Sequence, residues 1–170
     1  MALIRNGAVV RDEFVNAIGL ADIPASGPVI VSLEQWLANL DALMVRRDPL
    51  GIRLRSDQNP EIIADDLDHF AVIALEFPVF KDGRAYSYAR LLRERWGFRG
   101  ELRAVGDVLL EQLHFMQRVG FDAFELESDD PARDWEIAAH EFSVWYQATG
   151  DGRMPARDLR HQRVAARRLA

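Results

Sequence analysis

Short apolar runs alternate with amphipathic stretches along most of this chain. Leu3-Ile4-Arg5 and Ala8-Val9-Val10 flank Asn6-Gly7. That dipeptide suits the positive φ angles of a tight turn, so an N-terminal β-hairpin is expected within residues 1–14. A linker rich in small residues and proline follows, through Pro24, Gly27 and Pro28. Val29 to Val31 then reads as a strand. Ser32, with Gln35 three residues on, forms a capping box that starts a helix. Leu33, Trp36, Leu37, Leu40 and Met44 share one face of that helix, which ends before Pro49 and Gly51. Ile52 to Arg55 alternates as a strand does. Asn59-Pro60 opens the next helix, with Ile62, Ile63 and Leu67 on its apolar side. Phe70 to Phe77 is the longest apolar run and reads as a central strand covered on both faces.

The second half repeats the alternation. Tyr88, Ala89, Leu92 and Trp96 form a helix face closed by Gly97 and Gly100. Glu101 to Val105 is a strand, with Asp107 as the expected N-cap of a helix carrying Leu109, Leu113 and Met116. Gly120 ends that helix, and Phe121 to Leu126 is a further strand. Asp130-Pro131 begins the last helix of the body, with Trp135, Ala138, Ala139, Phe142 and Tyr146 facing inward. Strands beginning near residues 29, 52, 70, 101 and 121, each followed by a helix, predict an α/β domain of about five consecutive βα units with a parallel sheet. Two architectures fit: an open doubly wound sheet, or a partial TIM-like barrel too short to close. The polar alternation in Ile52-Arg53-Leu54-Arg55 and Glu101-Leu102-Arg103 leaves one sheet face partly charged, which favours barrel-like curvature or a cleft between subunits.

With 170 residues, 49% of them apolar, the chain suits a single core, taken as residues 1–150. Residues 151–170 carry six Arg and two Asp, a net +4, so the overall −6 leaves −10 for the rest. The acidic body disfavours nucleic acid as a partner. The basic end is expected to be a flexible tail or, if ordered, a lone helix over 157–169 resting on another subunit's acidic surface. Such a contact would make the protein a homo-oligomer. The opening residues lack a basic region followed by an apolar run, and no stretch is apolar and long enough to span a bilayer. A cytoplasmic protein without membrane contact is therefore expected.

The absence of cysteine excludes disulfides, thiol redox chemistry and thiolate-held iron–sulfur or zinc sites. His69, His114, His140 and His161 are scattered without metal-ligand spacing, so no metal is expected. No glycine-rich phosphate loop follows any strand, and no cofactor is expected. The densest polar segment runs from Phe77 to Asp107. Its candidate ligand-binding residues are Asp82, Gly83, Arg84, Tyr86, Ser87, Arg90, Arg103, Gly106 and Asp107. They fall at the carboxyl ends of two consecutive strands, where α/β sheets bind ligands. Arginine forks and free helix N-termini there suit an oxyanion such as sulfite or phosphate. The other reading is structural: a turn at Asp82-Gly83, a cap at Asp107, and arginines paired with Glu76, Glu94 and Glu101. Glu76 and Glu125, at strand ends, would serve either acid–base chemistry or pairing with Arg53 or Arg103.

The block EFPVFKDGRAYSYARLLRERWGFRGELRAVGDVLLEQLHFMQRVGFDAFEL resembles a bacterial family of unknown function, often labelled as an oxidoreductase of sulfite reduction. LIRNGAVVRDEF and PVIVSLEQW extend the similarity over residues 2 to 147. Genes of that family lie beside those of sulfite or nitrite reductase and phosphoadenylylsulfate reductase. The resemblance implies a role in assimilatory sulfur metabolism and a sulfite or nitrite reductase as partner. It brings no catalytic residues. Without cysteines or a nucleotide loop, the expected role is that of a non-redox accessory protein acting on or docking to the reductase. The alternative is a small-molecule enzyme or sensor that binds a sulfur oxyanion at the strand ends.

Overall fold

The computed structural model describes the backbone of residues 1–169 and the side chains of residues 1–162. Its strands are β1 (Ala2–Arg5), β2 (Ala8–Val10), β3 (Val15–Asn16), β4 (Val29–Ser32), β5 (Leu50–Leu54), β6 (Val72–Phe77), β7 (Glu101–Gly106) and β8 (Ala123–Leu126). They form one sheet in the order β2-β1-β8-β7-β6-β5-β4-β3. From β3 to β8 every pairing is parallel, while β1 is antiparallel to both β2 and β8. The order never reverses, so there is no topological switch point, and the half-barrel alternative is the one adopted.

The hairpin forms as the Asn6-Gly7 dipeptide implies, with φ of 50° and 84° at the two turn residues. It is not an appendage, because β1 is inserted beside β8. β3, in the stretch read as linker, pairs with β4 at the other edge. Residues 11–14 must therefore bridge the two edges of the sheet. Laid flat, seven strand spacings would separate those edges by roughly 34 Å. The five residue steps from Val10 to Val15 reach at most about 18 Å. The sheet has to curl, and 11–14 crosses its concave side as a strap.

The helices are α1 (Leu33–Ala38), α2 (Leu40–Met44), a 3₁₀ helix (Pro60–His69), α3 (Arg84–Arg90) continuing into a π-helical turn (Leu91–Arg95), α4 (Leu110–Arg118), α5 (Pro131–His140) and α6 (Ala156–Leu169). Ser32 and Gln35 make the reciprocal capping box at α1. Asn59 and Asp130 accept from Glu61 N–H and Arg133 N–H to start their helices, each ahead of a proline. Three expectations fail locally. The stripe from Leu33 to Met44 is interrupted at Asn39, and Leu37 and Met44 face solvent. α5 ends at His140, so Phe142 and Tyr146 lie beyond it and are exposed. Ile62 is exposed, whereas Ile63 and Leu67 are buried.

One face of the sheet and the helices enclose the main core: Val31, Ile52, Leu54, Ile73, Leu75, Phe77, Leu102, Ala104 and Phe124 from the strands, with Trp36, Leu67, Ala89, Leu92, Leu113 and Met116 opposite. Strand alternation sends the intervening residues to the other, concave face.

Candidate functional site

Register arranges the concave face into rows. Ser32, Arg53, Ala74, Arg103, Ala123 and Arg5 are successive partners across β4, β5, β6, β7, β8 and β1. The three arginines alternate with alanines, which keeps like charges about 10 Å apart and leaves side-chain room over each alanine. Every arginine of the row has a carboxylate. Arg53 meets Glu76 at 3.3 Å and Arg5 meets Glu101 at 3.4 Å. Arg103, only 1% exposed, meets Asp12 at 2.7 Å, Glu101 at 2.7 Å and Glu125 at 3.2 Å. Burial opposes its charge, but the hydrogen bonds it donates to Asp12 and the field of Glu101 outweigh that and hold its pKa above the ordinary value. Asp12 lies on the strap, whose Phe14 ring sits 5.9 Å from the guanidinium carbon of Arg103. The strap is thus clamped over the sheet by an ion pair and a cation–π contact. Arg5, Arg53 and Arg103 are matched by Asp12, Glu76, Glu101 and Glu125. The charges on this face are therefore largely matched within it, which weighs against an oxyanion there.

The carboxyl edge of the sheet is also closed by internal bonds. After β5, Arg55 meets Glu34 at 2.6 Å, and Gln58 donates to the same carboxylate at 2.9 Å. Backbone amide and side-chain bonds, including those of Arg55 and Ser32, lower the pKa of Glu34 to about 2. After β6, Arg84 grips Asp82 with two bonds, Nε to Oδ1 at 3.0 Å and Nη2 to Oδ2 at 2.6 Å. The same Nη2 donates to Ser56 Oγ at 2.9 Å. This fork holds the Asp82 carboxyl well below the usual carboxylate range. Tyr86 packs edge-on against Phe77 with centroids 5.3 Å apart, and burial pushes its phenol up to about 12, partly offset by Gln112.

Asp107 does not cap α4. Leu109 holds the cap position, and its N–H donates to Gln112 Oε1 at 3.1 Å. Asp107 instead accepts from Phe80 N–H at 2.8 Å, while its own N–H donates to the Phe77 carbonyl at 2.7 Å. Gly106 has φ of 95°, and a Cβ there would collide with the Phe77 carbonyl. The end of β7 thereby fixes the loop after β6, which closes on itself through Asp82 N–H to Val79 O at 2.9 Å. On this fastened loop Val79 and Phe80 are 56% and 50% exposed.

Of the residues singled out in the sequence, Asp82, Gly83 and Arg84 stand together after β6, with Gly106 and Asp107 bracing the same loop. Tyr86 turns into the helix-side core. Ser87 and Arg90 lie apart, along an open groove with Leu91, Glu94 and Arg95, where Arg90 pairs with Glu94 at 2.9 Å. Arg103 is on the opposite face of the sheet. Ser56, Asp12 and Phe14 complete these arrangements and carry no local sequence signal. Among the described residues, no group of His, Asp and Glu side chains is placed to hold a metal, and no helix is long and apolar enough to cross a membrane.

Fold and surface define the class: an α/β half-barrel whose interior arginine row is internally neutralised and whose carboxyl edge presents a braced apolar loop. The chain belongs to the bacterial proteins of unknown function grouped as DUF934, whose family model matches residues 51–157. No curated protein and no solved structure matches it.

Proposed function

We infer that this is a non-redox accessory protein of assimilatory sulfite reduction that docks to the reductase in the cytoplasm. The observation that carries the docking role is the loop after β6. It exposes Val79 and Phe80 while Asp107 and the Asp82–Arg84 pair hold it in shape. Exposed apolar side chains on a pre-ordered loop suit protein contact, because binding them costs little ordering entropy. An oxyanion at the same edge would have to displace Asp82 from Arg84, which weighs against the ligand-binding reading. The choice of partner rests on the sequence resemblance of residues 2 to 147. The test is a gene deletion scored for growth on sulfate against growth on cysteine. The deletion should slow growth on sulfate alone, and Phe80→Glu should fail to restore it while Arg90→Ala, away from the loop, succeeds. Equal growth on both sulfur sources would remove the sulfur role. Rescue by Arg84→Ala failing while Phe80→Glu succeeds would favour an anion site.

A further inference from the structure

Trp145 fastens the C-terminal region to α4. Its indole N–H donates to Nε2 of the buried His114 at 2.7 Å, and its carbonyl accepts from Ala156 N–H at 2.6 Å. The guanidinium groups of Arg118 and Arg153 lie over its ring at 5.6 and 4.7 Å. Arg118 also holds Asp151 at 2.9 Å and the Gln147 carbonyl at 2.7 Å. The segment between α5 and α6 is thereby tied down, and α6 is rooted beside it.

Next to this anchor is apolar surface that α6 leaves uncovered. Phe115 of α4 and Phe142 after α5 meet with centroids 5.9 Å apart, yet stay 49% and 41% exposed. Ile137 and Val144 are exposed as well. On the side away from the Arg118 and Arg153 guanidinium groups, three carboxylates belong to the same elements. Glu111 lies four residues before Phe115 on the same helix face, Glu136 is on α5, and Glu141 adjoins Phe142. α6 has the opposite character. Its sequence holds five Arg and one Asp, a net +4, with Leu159, Ala166 and Leu169 at helical spacing among them.

We propose that α6 is a dimerisation arm: the α6 of one copy lies across the Phe115–Phe142 surface of a second copy, and the exchange is reciprocal. Charge selects this occupant, because a +4 helix meets the rim of a body carrying −10. Without such an arm, two acidic bodies would repel. Symmetry favours it too. The root of the arm and the receiving surface are neighbours on one protomer, so a two-fold axis near Trp145 satisfies both arms and closes the assembly. An arm of about 21 Å is long enough to cross the exposed aromatic pair. The contact is separate from the loop after β6, which stays free.

Sedimentation velocity on the full chain at micromolar concentration tests the proposal. The full chain should be a dimer, weakened by added salt. Truncation after Ala156 should give a monomer. Phe115→Glu should raise the dimer dissociation constant roughly tenfold or more, with unchanged circular dichroism. If Phe115→Glu unfolds, the exposed pair Glu111→Arg with Glu141→Arg decides instead, and must weaken the dimer similarly. A monomeric full chain overturns the proposal. So does a dimer that survives truncation, or one that survives the folded surface variant; the latter would mean that α6 pairs with something other than this surface.

Discussion

Two arginines on the two sides of the sheet illustrate how burial changes what an ion pair does. Arg84 is 53% exposed and forms a fork with one carboxylate. Arg103 is 1% exposed, meets three carboxylates and reaches the strap through one of them. The first pair is screened by solvent and shapes a loop. The second stands in low dielectric, where removing one member strands the others. Both residues belong to the same dense polar segment in sequence, yet one organises a surface and the other closes the half-barrel.

The largest effect should come from Arg103→Ala. It leaves Asp12, Glu101 and Glu125 without their shared cation and frees the strap, at a cost of about 3–5 kcal/mol. Urea unfolding measures it, and a loss near zero would contradict the role assigned to the Arg103 cluster. Gly106→Ala comes next. It combines a strained positive φ with a collision against the Phe77 carbonyl, for roughly 2–3 kcal/mol. A neutral outcome would show that the end of β7 can shift without disturbing the loop it braces.

His114 is the converse case. It is buried like Arg103, but its neighbours Arg118 and Arg153 are cations rather than carboxylates. Desolvation first, then those two arginines, lower its pKa from 6.5. Glu141 and a carbonyl contact to Ala138 act against the shift without reversing it. With Nε2 accepting from Trp145, the neutral ring carries its proton on Nδ1. The unfolded chain therefore binds the proton more readily. The contribution of His114 is fully present above pH 6.5 and is lost as pH falls from there through its lowered folded value. Thermal midpoints from pH 8 downward should drop below about pH 6.5 in the wild type, and drop less in His114→Gln. Parallel profiles would contradict the neutral-histidine assignment. The smallest effect is expected for Arg84→Ala, whose thermal midpoint should match the wild type. A large drop would mean that the Asp82 fork supports more than its loop.

Features written in adjacent residues were legible: the Asn6-Gly7 turn, the Ser32–Gln35 box, and the Asn59-Pro60 and Asp130-Pro131 helix starts. Each depends on bonds closed within a few positions. The pairing of Arg53 with Glu76 and of Arg103 with Glu125 was also readable, because strand alternation puts those side chains on one face. The insertion of β1 beside β8 and the strap over the concave face were not, since Asp12 meets Arg103 across 91 positions. Asp107 resembles a cap by spacing, but Phe80 N–H, brought near by the β6–β7 register, claims its carboxylate. Phe142 and Tyr146 continue the helical period of α5 past the point where the helix stops, so periodicity alone placed them inside. The nine candidate residues shared a strand edge in sequence. Alternation and helix phase then divided them among a braced loop, an open groove, the helix-side core and the concave face.

The loop after β6 is proposed above as a docking surface for the sulfite reductase. Biolayer interferometry with purified reductase immobilised and this protein in solution tests it most directly. Wild-type protein and Arg90→Ala, which alters a residue off the loop, should bind with micromolar or tighter affinity. Val79→Glu and Phe80→Glu, folded by circular dichroism, should lose roughly tenfold or more. Absence of binding by the wild type, or equal binding by all four proteins, would contradict it.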